Sequence, residues 1–188
     1  MKKVSLASSV IVLLAAAALA AEQQSKQSQQ QMEENFLKEA ASANLFEQQF
    51  SEEVQKQAQD QKIKSLAQQI IQDHKQAQQQ LQQVAQSAGV QLPNELNEVH
   101  KAKLQEFQKK QGRELELSYL WDQIGSHTKA VLKFRYMADH AQNPQIQSYA
   151  RKTGETLQQH LSQALECAGV DAQKVTQELA GSRQQASR

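Results

Sequence analysis

Four residues in this chain have side chains that could share one piece of chemistry: Glu47, His74, His127 and His160. Each sits inside a stretch whose neighbours at steps of three and four are apolar or small. These runs are Phe36, Ala40, Ala43, Phe50 and Val54 around Glu47, and Ile63, Leu66, Ile70, Ala77, Leu81 and Val84 around His74. Around His127 they are Leu117, Leu120, Ile124, Val131, Phe134 and Ala138, and around His160 Ile146, Ala150, Thr153, Leu157, Ala164 and Cys167. Such spacing marks the buried stripe of an amphipathic helix. A carboxylate on a buried stripe is costly unless a cation or hydrogen bonds offset its charge, and neutral imidazole with carboxylate is a ligand set for zinc, iron, copper or manganese. One transition-metal ion held by Glu47, His74, His127 and His160 is therefore one expectation. The other is a closed hydrogen-bond layer of the same groups that fixes helix register.

Four helices must position these groups. Segments 33–59 and 61–88 turn at Asp60-Gln61, and Glu47 and His74 are equidistant from that turn. Segments 113–142 and 144–168 turn at Asn143-Pro144, and His127 and His160 are equidistant from that one. At about 1.5 Å of rise per residue, each pair lies on one level. Asn143 is a good N-cap, with Pro144 at the first helical position. Gly89 and Gly169 are natural C-terminal stops. Between the hairpins lies a connection from Gly89 to Gly112 with Leu92-Pro93-Asn94 and a shorter helix near Glu95–Lys110. Two helical hairpins joined by a long, helix-containing link predict an all-α, ferritin-like four-helix bundle.

The groups around this ring are weaker candidates. Tyr119 and Glu116, a turn or more before His127, are candidates for outer support of the metal, Tyr119 as a hydrogen-bond donor. Asp73 projects about 100° from His74 and is expected in water. Asp122 and Glu155 fall on other faces than the histidines they precede. His100 and His140 are expected at the surface or between helices, Trp121 in edge packing, and the lone Cys167 buried. The Glu-x-x-His motif of di-iron carboxylate bundles is missing, as are His-Glu-x-x-His and Cys-x-x-Cys. No catalytic residue is singled out, and the chain reads as a non-enzyme more readily than as an enzyme.

Composition sets the remaining bounds. The chain has 188 residues, two prolines and six glycines, so one helical domain is expected. Lys2 and Lys3, the apolar run Val10–Ala20 and the small-x-small triplet Ala18-Leu19-Ala20 form a signal-peptide pattern, predicting cleavage after Ala20 and a periplasmic or secreted location. Residues 21–32 read as a Gln-rich flexible spacer, 33–169 as the bundle, and 170–188 as a weakly structured tail that Asp171 could cap into a short helix. Cleavage would leave 19 basic and 20 acidic side chains. No basic field is present to hold phosphates, so no nucleic-acid partner is expected. No membrane span is expected in the mature chain either, and an envelope protein is the partner that the Gln-rich faces suggest.

Several stretches together are similar to a known family: Phe36-Leu37-Lys38-Glu39-Ala40-Ala41 with Glu47, Ile71-Gln72-Asp73-His74-Lys75, Leu92-Pro93, Tyr119-Leu120 with His127, and Leu157-Gln158-Gln159-His160-Leu161. Over about Phe36 to Ala168 the chain resembles the bacterial exported family called domain of unknown function 4142. The resemblance implies a ferritin-like fold and an envelope location, and it implies no activity. Where that family shows an aromatic and an Asp before the Tyr, this chain has Leu115 and Glu116. The function expected is an exported helical protein that binds a transition metal for metal handling or envelope stress tolerance. The alternative is a non-catalytic structural or interaction module.

Overall fold

In the computed structural model residues 6–170 are described, with side chains from Glu22 onward. The side chains of the signal-peptide pattern and the tail from Asp171 lie outside the described residues. The described chain is all-helical: α1 (Leu6–Gln57), α2 (Gln61–Ala88), α3 (Glu98–Phe107), α4 (Gly112–His140) and α5 (Pro144–Cys167). No helix among the described residues is long and apolar enough to cross a membrane.

The helices begin and end where local chemistry dictates. Asp60 Oδ1 accepts from the Lys62 and Ile63 amides at 2.8 and 3.4 Å, opening α2. Asn97 Oδ1 accepts from the His100 amide at 2.8 Å, opening α3. Asn143 Oδ1 accepts from the Gln145 amide at 2.9 Å, with Pro144 beginning α5. Gly89 ends α2 at φ 69°, a left-handed geometry that a Cβ would oppose. One sequence expectation changes here: α1 continues through residues 22–32 as helix rather than spacer. Gln and Ala are good helix formers, so a polar segment extends the helix even though its side chains stay mostly in solvent.

Packing joins α1 to α2 and α4 to α5, then sets α2 against α5 and α1 against α4, with α3 beside α1. The core divides into two apolar clusters. One gathers Phe36, Leu81, Phe134, Ile146 and Tyr149, from the start of the α1 packing face, the end of α2, the end of α4 and the start of α5. The other gathers Phe50, Ile63, Leu115, Tyr119 and Ala164 from the opposite ends of the same helices, closed by Phe107 of α3. Neighbouring helices are therefore antiparallel, and the 89–111 connection must travel from one end of the assembly to the other. The level between the two clusters is where the polar residues lie.

Each hairpin turn is stitched to the other hairpin by a carboxylate. Glu116 of α4 accepts from the amides of Gln59 and Asp60, at 2.7 and 2.8 Å, where α1 turns into α2. Glu33 of α1 accepts from the amides of Gln142 and Asn143 where α4 turns into α5. Glu116 is 4% exposed, and its backbone donors hold its carboxyl below the usual carboxylate range. Its contribution to stability is thus present above that range and fades as pH falls through the depressed value. Glu116→Ala leaves two backbone donors without their partner, at a cost of about 1–3 kcal/mol. The expected result is a melting temperature several degrees lower at pH 7, with the gap between variant and wild type closing in acid.

The stripe of α4 differs from the expected one in its first turns. Leu115, Glu116 and Tyr119 face inward, whereas Leu117 is half-exposed and Trp121 is 65% exposed. Trp121 is therefore not edge packing. Leu117, Trp121, Leu132 and Tyr136 place apolar surface on the outside of α4, and this second apolar face is what blurred its register in the sequence. Cys167 is half-buried rather than buried.

Candidate metal centre

Three of the four proposed ligands meet. His74, His127 and His160 are buried, and one ring nitrogen from each lies within 4.8 Å of the other two. The ring centroids form a nearly equilateral triangle, with sides of 5.8 Å (His74–His127), 5.6 Å (His74–His160) and 5.3 Å (His127–His160). Glu47 is not part of this cluster. It is 4% exposed, and its Oε2 accepts from Gln123 Nε2 at 2.7 Å. Burial pushes its carboxyl up to about 7, against the pull of the Gln123 hydrogen bond.

Each imidazole is held from outside by one nitrogen. Asn44 Nδ2 donates to Gln78 Oε1 at 3.1 Å, which turns its Oδ1 toward His74; His74 Nδ1 then donates to that oxygen at 2.9 Å. His127 Nδ1 donates to the Gln123 carbonyl at 3.1 Å, one turn back on its own helix. His160 Nε2 donates to Asp73 Oδ2 at 2.8 Å. With the outer nitrogens acting as donors, His74 Nε2, His127 Nε2 and His160 Nδ1 are left as bare lone pairs. This is how metal-binding histidines are oriented: an outer oxygen fixes the tautomer and the ring plane.

The inner nitrogens are unsatisfied as they stand. His74 Nε2 is buried without any hydrogen-bond partner. His127 Nε2 and His160 Nδ1 face each other at 3.3 Å, two acceptors with no proton to share. A protonated His160 would relieve that contact, but burial lowers its basicity despite the opposing pull of Asp73. Burial also holds His127 down to about 3 and keeps His74 well below its usual value, with the other histidines adding to both effects. All three rings are thus neutral near pH 7, the form that binds metals. Two nitrogens bound tetrahedrally at about 2.0–2.1 Å from one ion stand about 3.3 Å apart, which is the separation that His127 and His160 already have.

The other candidates have different partners. Tyr119 is fully buried, and its hydroxyl shares a 2.9 Å hydrogen bond with Ser51 rather than with any of the three histidines. Glu116 supports the α1–α2 turn and makes no hydrogen bond to the cluster. His100 joins α3 to α1: its Nδ1 lies 2.9 Å from Ser42 Oγ and its ring stacks on Phe46. His140 stacks on Tyr136 at the surface.

Three outer partners escaped the sequence reading. By helical spacing alone Asp73 projects away from the α1-facing stripe of α2, toward water. Yet α2 packs against α5 as well as α1, so that second direction leads to His160. Asn44 precedes Glu47 by three residues and Gln123 precedes His127 by four, so both share the faces already identified. The spacing was a usable signal. Gln123 supports His127 through its main-chain carbonyl, which a residue of any type there would supply, while its fully buried side chain goes to Glu47.

The family described as Domain of unknown function (DUF4142) matches residues 16–166, and the chain belongs to that family. No curated protein and no solved structure matches it.

Proposed function

We propose, taking membership of that family as the premise, that the protein is an exported helical protein that binds one transition-metal ion through His74, His127 and His160. Metal handling or tolerance of envelope stress is the role that fits such a site. Export is supported by Lys2, Lys3, the apolar run Val10–Ala20 and the Ala18-Leu19-Ala20 triplet. A ferritin-like arrangement is supported by two antiparallel hairpins joined by a connection that crosses from end to end.

The observation that carries the reading is the inward set of three lone pairs, two of them already 3.3 Å apart and the third without a partner. A hydrogen-bond layer alone would leave these atoms opposed and unsatisfied. A cation between them satisfies all three. Three neutral imidazoles favour zinc, copper or iron over manganese, which prefers carboxylate and water oxygens. Glu47 stands nearby as a carboxylate paired with Gln123 rather than as a member of the nitrogen set.

One equivalent of metal per chain is expected in the purified protein after exposure to zinc or copper and exhaustive dialysis. A chain that stays metal-free after zinc, copper and iron have each been offered would end the proposal. Asp73→Asn tests the outer shell. The amide can still accept from His160, but without the carboxylate charge, and a loss of outer support of this kind weakens metal affinity about 10–100-fold. Competition with a chromophoric chelator reads that change directly. Equal affinities for variant and wild type would remove Asp73 from the site.

A further inference from the structure

Beside the three histidines the interior is not filled. A cavity of about 110 Å³ is bounded by residues of all five helices, and His74 of α2 and His127 of α4 form part of its wall while His160 does not. Liquid water occupies about 30 Å³ per molecule, so this is room for roughly three waters or for one small ligand of a few heavy atoms. The wall is of mixed character. Ala130 and Phe134 give apolar surface, and Glu47 and Ser126 give polar groups. Gln123 engages Glu47 through Oε2, and the Ser126 hydroxyl acts on the same carboxyl. Lys103 lines the α3 side with its side chain 41% exposed, and its ammonium is paired there with the carboxylate of Asp122.

Apolar packing tends to close unneeded space, because an empty cavity destabilises in proportion to its volume. Here the space is bounded by His74 and His127, two of the three rings whose inner nitrogens lack a donor. Three protein ligands and one open position is the pattern of metal sites that admit an exogenous molecule, whereas purely structural sites close with four protein ligands.

We infer that this cavity is a ligand pocket in which a small oxygen- or nitrogen-donor molecule of a few heavy atoms, of the peroxide or azide kind, occupies the position that the three histidines leave open. The inference rests on the metal-site reading above.

The test uses copper(II)-loaded protein with azide as the probe. Wild type is expected to bind one copper and, on titration with azide, to develop an azide-to-copper charge-transfer band that saturates at one azide per chain. Ala130→Leu fills the cavity while leaving all three histidines in the sequence. It is expected to keep one copper and to bind azide at least tenfold more weakly. Should that substitution disturb the fold, as judged by its melting curve, Ala43→Leu fills the same cavity from α1 and takes its place. Copper bound without any azide band, or azide binding unchanged in the filled variants, would overturn the pocket while leaving the histidine site intact. Failure to bind copper, zinc or iron at all would overturn both.

Discussion

His127→Ala loses metal binding while keeping the fold. The side chain removed supplies one of three nitrogens and one half of the 3.3 Å pair with His160. Loss of an inner ligand exceeds the roughly 10–100-fold expected for an outer partner, so the affinity falls by more than about 100-fold. The effect is equally visible in stability. A metal held at 100 times its dissociation constant stabilises the native state by about 2.7 kcal/mol. Wild type therefore melts higher with zinc than with a chelator, and the variant melts alike in both. In the chelator arm the variant has a cavity but also loses the opposed nitrogens, so its metal-free stability stays close to wild type. His140→Ala, a change at the surface, provides the matched control and keeps the full metal response. A metal-dependent rise in melting temperature that survives in His127→Ala would contradict the assignment.

The second large effect concerns Glu47 and pH. Its carboxyl is raised to about 7 by burial, so the native state holds a proton that the unfolded chain gives up near the usual carboxylate value. The stability associated with this proton is complete below the unfolded value and is lost as pH rises through about 7. A shift from 4.5 to about 7 corresponds to about 3 kcal/mol across that window. The buried histidines act in the opposite sense. Their values are lowered, so the stability they support is present above the ordinary histidine range and is lost as pH falls. The two trends overlap, and a single stability profile would blend them. Comparison with Glu47→Gln separates them, since the variant retains a partner for Gln123 and cannot ionise. In metal-free protein, denaturant unfolding at pH 4.5 and pH 8 should show Glu47→Gln gaining on wild type by about 3 kcal/mol over that interval. A constant difference across the interval would mean that Glu47 is ionised at both ends.

The helices and the level of the polar layer were legible because they depend on periodicity and turn chemistry. Asp60, Gly89 and Asn143 mark helix ends by local rules, and equal distances from two turns bring His74, His127 and His160 to one height whatever the detailed packing. Identity at that height was less legible. Glu47 satisfies the same periodicity as the histidines, yet its carboxylate is engaged by Gln123, a residue whose type gives no hint of burial in so Gln-rich a chain. Glu116 lay close to the ring in sequence, but its function comes from a contact 57 residues back, at the turn of the other hairpin. Asp73 failed in the opposite direction. A helix with one packing face would leave it in water, and only the position of α5 beside α2 reveals the second face. Periodicity reports how far around a helix a residue lies, and the neighbours decide what waits there.

The most direct test follows the imidazole nitrogens themselves. In uniformly ¹⁵N-labelled protein, long-range proton–nitrogen spectra resolve both ring nitrogens of each of the five histidines. Titration with zinc is expected to shift His74 Nε2, His127 Nε2 and His160 Nδ1 together, saturating at one equivalent, while His100 and His140 stay where they were. Zinc that moves His100 or His140 instead, or that leaves the three inner nitrogens at their metal-free positions, would contradict the account.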